Sequence, residues 1–170
     1  EVYDGKNYPS TIGAVDAVIN LAGAGIADHK WTDDYKKQIL DSRIFSSKAA
    51  VNFIRQANPK PKVLINASAV GYYGTQNPAI LDETAPPGND FLAKVAIEWE
   101  KASQGAGIRT VNPRIGVVMG KDGGAFPRMV TPFKMYAGGY ICTGMQGFPW
   151  VHIQGVIRAL LFLFDHEEIS

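Results

Sequence analysis

The chain has 170 residues, of which 46% are hydrophobic and 19% are charged, and its formal net charge is +1. These values indicate one ordinary globular domain, and a sequence without a basic run argues against a nucleic acid or an anionic membrane as partner, so we expect a small-molecule substrate. The single cysteine, Cys142, cannot form an internal disulfide, and the three histidines lack the spacing of metal ligands, which predicts a reducing compartment and no metal site.

The first predicted element is a strand over residues 15–21, followed by a turn of small residues at 22–25. The apolar residues of the strand are typical of a central position that is covered on both faces. The small residues of the turn would let a flat or anionic ligand lie against the main chain, and Asn20 would add a side-chain amide. A tight turn without a ligand is an equally good interpretation.

A long amphipathic helix follows, with Thr32 as its predicted N-cap and two aspartates in its first turn. It should end near Ala57, because the sequence Asn-Pro-Lys-Pro at 58–61 cannot continue a helix. A helix of about 26 residues is about 39 Å long, enough to cross one face of a sheet. We interpret Arg43, in this helix, as a solvated or salt-bridged arginine rather than a ligand contact. The predicted buried stripe consists of Leu40, Ile44, Ser47, Val51 and Ile54.

Residues 62–74 predict a buried strand that runs into a reactive loop. Three consecutive apolar residues, 63–65, are typical of a parallel strand between two helix layers, and Ser68, Tyr72 and Tyr73 follow where the strand ends. In open parallel sheets the ligand crevice lies outside the carboxyl ends of the strands, so these three hydroxyls are the candidate catalytic groups. The alternative is a glycine-rich turn whose tyrosines are packing residues.

Residues 75–89 predict a proline-containing loop, after which Asp90 caps a second helix that ends near Gly105. Strand signals return at 108–119, where Pro113 removes one hydrogen-bond donor from the ladder and predicts a bend or an edge. The predicted apolar stripe of the second helix consists of Leu92, Val95, Trp99 and Ala102.

Residues 121–147 are rich in glycine and predict a loop with a short helix at about 129–136, and the longer segment 121–153 is the predicted substrate-side lid. A last helix is predicted at about 154–166. Its apolar run at 160–164 is too hydrophobic for an exposed face, so we expect chain outside these residues, or a partner subunit in a homodimer, to cover it. The run is far too short to cross a bilayer, which predicts a soluble, cytoplasmic protein.

Six motifs lie in register between about residue 10 and residue 165: Asp-Ala-Val-Ile-Asn-Leu-Ala-Gly at 16–23, Lys-Trp-Thr at 30–32 with Asp-Ser-Arg at 41–43, Ala-Ser-Ala-Val-Gly-Tyr-Tyr-Gly at 67–74, Asp-Phe-Leu-Ala at 90–93 with Trp-Glu at 99–100, Gly-Val-Val-Met-Gly at 116–120 with Gly-Gly-Ala at 123–125, and Trp-Val-His-Ile at 150–153. Together they resemble the epimerase-like, atypical branch of the extended short-chain dehydrogenase/reductases. Members of this branch are sometimes described as SulA-like nucleoside-diphosphate-sugar epimerases.

The resemblance implies an α/β fold with a Rossmann-type, doubly wound parallel sheet that binds NAD or NADP, in which residues 1–170 form a single but incomplete domain. It also implies an NAD(P)-dependent oxidoreductase or epimerase that acts on a small hydroxylated substrate, such as a nucleotide sugar. The site residues that it implies are Asn20, Leu21, Ala22 and Gly23 in the cofactor cleft, Ser68 at the family's active-site serine, Pro113, Arg114, Ile115 and Gly116 beside the nicotinamide, and Gln146, Trp150 and His152 toward the substrate.

Three features depart from the family pattern. The glycine-rich loop that cradles the pyrophosphate, and the strand before it, are absent from these residues, so we expect a longer physiological chain and an unpaired apolar edge on the strand at 15–21. The family's catalytic tyrosine and lysine fall at Phe91 and Val95, neither of which can move a proton, and an aspartate of extended members falls at Gly155. A non-catalytic dinucleotide-binding sensor or scaffold protein is therefore the alternative function, and a fragment that acts only with further chain is a third.

Overall fold

The computed structural model describes residues 13–75, 80–140 and 143–169, and it shows an α/β fold in which helices cover parallel strands. The predicted fold class is confirmed. The helices in these ranges are Asp33–Gln56 (α1), Phe91–Ala102 (α2), Ala125–Lys134 (α3) and Ile153–Asp165 (α4). The strands are Ala17–Asn20 (β1), Val63–Asn66 (β2), Ser68–Ala69 (β3), Arg109–Val111 (β4), Arg114–Ile115 (β5), Val117–Gly120 (β6), Gly123–Gly124 (β7) and Trp150–His152 (β8).

The central sheet is parallel and has the order β1, β2, β4. Beyond it, β3 and β5 form a short parallel pair, and β6 lies between β7 and β8 in a third small sheet. The chain from 109 to 120 is therefore divided into three short strands. The first division falls at Pro113, because proline has no N–H to offer a neighbouring strand, and the predicted bend is confirmed.

Helices pack on both faces of the central sheet. On one face, Leu64 of β2 lies in a buried cluster with Ile54 of α1, and on the other face Val63 and Ile65 lie in a cluster with Leu160 of α4. Successive residues of a strand point to opposite faces, so a continuous apolar run is what a strand between two helix layers requires. The doubly covered position predicted for this strand is confirmed.

α1 and α2 begin where their local sequence predicts, and α1 also ends there. Thr32 Oγ1 accepts a hydrogen bond from Tyr35 N at 3.2 Å, and Asp90 Oδ1 accepts one from Ala93 N at 2.9 Å. α1 ends at residue 56, just before the Asn-Pro-Lys-Pro sequence. In the part of the chain that the structure describes, no helix is long and apolar enough to cross a membrane.

β1 differs from its prediction at its carboxyl end. Val18 packs against the α1 cluster and Ala17 against the α4 cluster, so the strand is covered on both faces only where it begins. Ile19 is 47% exposed and Leu21 is 55% exposed, because β2 is the one neighbour of β1 among the described strands. The expectation of an unpaired apolar edge agrees with this arrangement.

The glycine-rich segment after β6 is more ordered than predicted. It contains β7 and a helix, α3, that begins at residue 125 rather than near 129. Pro127 lies in the first turn of α3, where a missing N–H has no consequence. The outer face of α4 remains exposed at Ile157, Leu161 and Phe162, which agrees with the prediction that its apolar run is not covered by these residues alone.

Candidate functional site

Three asparagines lie in one row across the carboxyl ends of β1, β2 and β4. Asn20 is opposite Asn66 in the register of the first two strands, and Asn112 directly follows the last residue of the third. Asn20 Nδ2 donates to Asn66 Oδ1 at 2.6 Å, and Asn112 Nδ2 donates to the Asn66 carbonyl oxygen at 3.0 Å. These bonds align the three strand ends, and in an open parallel sheet the ligand crevice lies just beyond them.

Serines from the helices complete the hydrogen bonding of the asparagine row. Ser47 of α1 donates to Asn66 Oδ1 at 2.9 Å, and Asn112 Nδ2 donates to Ser103 Oγ, just after α2, at 3.0 Å. Asn66, Ser47 and Ser103 have no exposed surface. Because a buried polar group without a partner costs about 1 to 3 kcal/mol, this paired row is more stable than any register that separates its members.

The loop between β1 and α1 is hydrogen-bonded to α1. Ala24 N donates to Ser42 Oγ at 3.0 Å, and Ser46 Oγ donates to the Ala22 carbonyl oxygen at 3.3 Å. Leu21, Ala22 and Gly23 are all exposed. The residues predicted to line the cofactor cleft therefore lie together at the end of β1, on a loop that the helix holds in place.

Arg43 is half-buried rather than fully solvated, and within the described ranges it takes part in no salt bridge, so its main partners differ from those expected from its sequence position. Its Nη1 donates to the carbonyl oxygens of Ala24 at 3.0 Å and Ile39 at 2.9 Å, and its guanidinium carbon lies 4.9 Å from the centre of the Trp99 ring. Burial lowers the pKa of Arg43 below its ordinary value. A side chain at position 23 would come within 3.1 Å of Arg43 Cγ, so the arginine packs closely against this glycine.

The predicted catalytic serine lies in a charged network. Ser68 is 2% exposed, and its Oγ donates to Glu100 Oε1 at 2.6 Å. Arg114 binds the same carboxylate through two parallel bonds, from Nε to Oε1 at 2.9 Å and from Nη2 to Oε2 at 3.0 Å. The hydrogen bonds to Glu100 hold the pKa of Arg114 above its ordinary value. The hydroxyl of Ser68 thus donates to a carboxylate inside the protein, and its contact with a substrate stays a prediction.

Both predicted tyrosines lie against Arg114. Its Nη1 donates to Tyr73 Oη at 2.9 Å, and its guanidinium carbon lies 3.4 Å from the centre of the Tyr72 ring. The two rings meet edge to face with their centres 5.3 Å apart. Both tyrosines are half-buried, so they lie between the charged network and solvent.

A shallow cavity of about 330 Å³ opens beside Tyr73. Two loops form it, one after Tyr73 and one before α2, and they approach each other closely: a side chain at Gly88 would come within 2.6 Å of Gly74 Cα. Asp90 is the carboxylate in its wall; across the described ranges no three His, Cys, Asp or Glu side chains could hold a metal ion. The cavity is lined by Tyr73, Gly74, Thr75, Pro87, Gly88, Asn89 and Asp90.

The segment predicted to pass the nicotinamide, 113–116, lies at the junction between β4 and β6. The Pro113 carbonyl oxygen accepts from Ser68 N at 2.9 Å, and Ile115 packs on the cluster below α4. Gly116 faces the Pro149 carbonyl oxygen so closely that a Cβ would come within 2.5 Å of it. The segment is fixed beside the charged network, and its contact with a nicotinamide stays a prediction.

α2 places Phe91 and Val95 in apolar surroundings. Val95 is 4% exposed and lies in a cluster with Tyr35 and Ile39 of α1. The Phe91 ring meets Trp31 edge to face, with the ring centres 5.4 Å apart. Neither position offers a proton-transfer group, so any acid in this crevice must come from another residue.

The predicted substrate residues belong to the segment 138–152, of which 141 and 142 lie outside the described residues. Trp150 is 61% exposed on β8, and Gln146 is also exposed. His152 Nδ1 accepts from Gln154 N at 3.2 Å and so caps α4. His152 therefore anchors a helix, while contact of any of the three with a substrate stays a prediction.

α3 is joined to the loop between β1 and α1. Arg128 of α3 donates from Nη2 to Asp28 Oδ1 at 2.9 Å, and from Nη1 to the Ala27 carbonyl oxygen. The ion pair is about half exposed on both sides. The predicted lid segment thus contacts the loop predicted to line the cofactor cleft, although a hundred residues separate them.

Three residues of this site were not among the predicted ones: Asn66, Glu100 and Asn112. The asparagines left a signal, because an asparagine ends or directly follows each of the three strands of the central sheet, and the three are spaced 46 residues apart. Glu100 left none beyond its place in a family motif. Its role depends on where α2 lies relative to β3 and β5, which local sequence does not determine.

Comparison with known proteins matches residues 6–170 to the model of the NAD dependent epimerase/dehydratase family. The chain is 40% identical to an epimerase family protein of Staphylococcus saprophyticus, over 95% of this chain and 55% of that protein. It is 38% identical to the chloroplastic epimerase family protein SDR39U1 homolog of Arabidopsis thaliana, over 94% of this chain and 50% of that protein. The crystal structure of human epimerase family protein SDR39U1 with NADPH superimposes with a TM-score of 0.88 at 32% identity, covering 95% of this chain and 57% of that one. The chain thus spans about half the length of the curated relatives it matches.

Proposed function

Since the chain belongs to the NAD dependent epimerase/dehydratase family, we propose that it forms part of an NAD(P)-dependent oxidoreductase or epimerase. Its substrate is a small hydroxylated molecule, of which a nucleotide sugar is one class. The observation that carries the proposal is the asparagine row, which aligns the carboxyl ends of β1 and β2, so that exposed small residues follow one strand and two half-buried tyrosines follow the next. The NADPH in the human relative supports the choice of cofactor.

The residues at the end of β1 fit one part of a dinucleotide. Ala22 and Gly23 are small and exposed, so a flat ring can approach the main chain there, and Leu21 adds an apolar surface. The residues at the end of β1 do not include a glycine-rich loop for the pyrophosphate. We therefore assign to them contact with a ring of the cofactor and not with its pyrophosphate. When bound, the nicotinamide would accept or supply a hydride.

We assign the remaining roles to the residues around the charged network and the lid. Ser68, Tyr72 and Tyr73 are the proposed catalytic hydroxyls, and segment 113–116 is the proposed neighbour of the nicotinamide. The proposed substrate contacts are made from the lid segment 121–153, by Gln146, Trp150 and His152. Exposure of the first two supports this assignment, because a substrate can reach them from solvent.

A second candidate is a dinucleotide-binding sensor or scaffold protein without catalysis. The observation that favours it is the apolar environment of Phe91 and Val95, which stand where the family carries its acid and its lysine. Both candidates bind the cofactor, and only the enzyme needs a proton donor. Hydride transfer therefore distinguishes them, and cofactor binding alone does not.

Titration with NADPH and NADH, followed by nicotinamide fluorescence, tests the shared part of the two functions. We expect saturable binding that Leu21→Asp weakens at least about tenfold, because the carboxylate would face an anionic ligand. Ile157→Asp is the matched control, since it also places a charge on an exposed apolar residue, but on α4. No binding by the wild type, or equal affinity in the two variants, would contradict the proposed cofactor cleft.

A further inference from the structure

Arg114 belongs to the segment predicted to pass the nicotinamide, and its guanidinium is in contact with three side chains. Its Nε and Nη2 are bound by Glu100, its Nη1 by Tyr73, and its planar face lies on Tyr72. Glu100 is held in turn by Ser68. The side chains of the ion pair are less than one-fifth exposed, so solvent screens it weakly. The position of the guanidinium is fixed from three directions.

The direction of the hydrogen bond between Arg114 and Tyr73 determines what the tyrosine can do. A guanidinium has only donors, so Tyr73 Oη must be the acceptor in this pair. The hydroxyl hydrogen of Tyr73 can therefore be donated to another group, and no acceptor for it lies among the described residues. Tyr73 also lines the cavity of about 330 Å³ between the two loops.

Resting on the proposed function, we propose that Tyr73 is the hydrogen-bond donor to a substrate oxygen, and that Arg114, Glu100 and Ser68 are its positioning residues. The occupant of the cavity is then an oxygen acceptor, either a carbonyl or a sugar hydroxyl. A phenol beside a fixed cation offers the same pairing of group types as a tyrosine beside a lysine, which positions 91 and 95 lack. Of the three proposed catalytic hydroxyls, the substrate contact is thereby assigned to Tyr73, because the Ser68 hydroxyl donates to Glu100 and acts through that carboxylate.

The first test observes Tyr73 directly and needs no cofactor. In protein labelled with 3-fluorotyrosine, the ¹⁹F signal of Tyr73 is identified by its loss in Tyr73→Phe. We expect Arg114→Lys and Glu100→Gln to shift or broaden this signal, because lysine cannot make the two parallel bonds to a carboxylate. Arg109→Lys is the matched control: Arg109 binds the carbonyl oxygens of His166 and Ile169, far from the tyrosines in the network.

The second test measures NADPH oxidation with 4-nitrobenzaldehyde, a small carbonyl compound that does not condense with arginine as a vicinal dione does, as the probe. We expect Tyr73→Phe to lower turnover at least about 100-fold while the NADPH dissociation constant changes less than about twofold. Arg114→Lys should lower turnover in the same way, and the double variant should be no worse than Tyr73→Phe, because residues that act as a unit are not additive. Arg109→Lys should lower the melting temperature and leave turnover unchanged.

Each remaining outcome refutes a different statement. An unchanged ¹⁹F signal in Arg114→Lys overturns the positioning role, and full turnover in Tyr73→Phe overturns the donor role. If Arg109→Lys and Arg114→Lys lose equal turnover and equal melting temperature, the role of Arg114 is structural only. A wild type that binds NADPH and reduces no aldehyde overturns Tyr73 as the donor and leaves cofactor binding intact. A wild type that binds no NADPH overturns the proposed function itself.

Discussion

Replacing Asn66 with alanine should show how much of the stability depends on the asparagine row. The substitution removes the acceptor of two buried donors, Asn20 Nδ2 at 2.6 Å and Ser47 Oγ at 2.9 Å. A buried donor without a partner costs about 1 to 3 kcal/mol. Asn20 Nδ2 keeps two longer contacts, with Ser46 and Ser47 at 3.4 and 3.3 Å, so we expect a total loss of about 2 to 4 kcal/mol.

Urea unfolding measures this loss. At a slope of about 2 kcal/mol per molar urea, the midpoint should fall by about 1 to 2 M without a change in slope. Asn89→Ala is the matched control, because Asn89 is exposed, and its midpoint should correspond to a change within about 0.5 kcal/mol.

A double-mutant cycle with Ser47→Ala tests the stated cause. Removing the serine hydroxyl from the Asn66→Ala protein also removes one of the two donors left without an acceptor. The double variant should therefore lose at least about 1 kcal/mol less than the sum of the single losses. Additive losses, or an Asn66→Ala protein as stable as the Asn89→Ala control, would refute the reasoning.

Three further substitutions have definite expected outcomes. Val95→Lys would not restore the missing lysine, because it would bury an ammonium group at a position that is 4% exposed; we expect a loss of more than about 3 kcal/mol in urea unfolding, and a stable variant would contradict the α2 placement. Gln146→Ala should weaken substrate or inhibitor binding by about 1 to 3 kcal/mol in calorimetry at an unchanged melting temperature; the reverse pattern would make the lid segment structural. Ser68→Ala should lower aldehyde reduction less than Tyr73→Phe does, because Glu100 keeps both bonds to Arg114; equal losses would restore the serine as the substrate contact.

Local signals determined most of what the sequence could predict correctly. The beginnings of α1 and α2 were predictable because Thr32 and Asp90 are N-cap residues. The break between β4 and β5 was predictable because Pro113 lacks a backbone hydrogen-bond donor. The three consecutive apolar residues of β2 also predicted helices on both faces, because a strand that is covered on both faces is apolar on both.

What the sequence could not predict concerns residues whose partners are distant in the sequence. Arg43 was interpreted as solvated because helix position alone does not show that Trp99 of another helix covers it. For Ser68, nothing near it in the sequence shows the carboxylate of Glu100, 32 residues away, so their hydrogen bond was not predicted, while contact of the serine with a substrate stays a prediction. Side-chain direction at a strand end depends on the packing of neighbouring elements, and single-sequence patterns do not contain that information.

The spacing of the asparagine row also determines when the crevice can form as the chain folds. Each of its two links joins residues 46 positions apart, with α1 between the first pair and α2 between the second. Helices form from local contacts within about a microsecond, whereas parallel strands must first close a long loop and are slow to pair. Amides in the helices should therefore gain protection from hydrogen exchange before those at the strand ends, and a chain still folding has its helices well before it has a binding site.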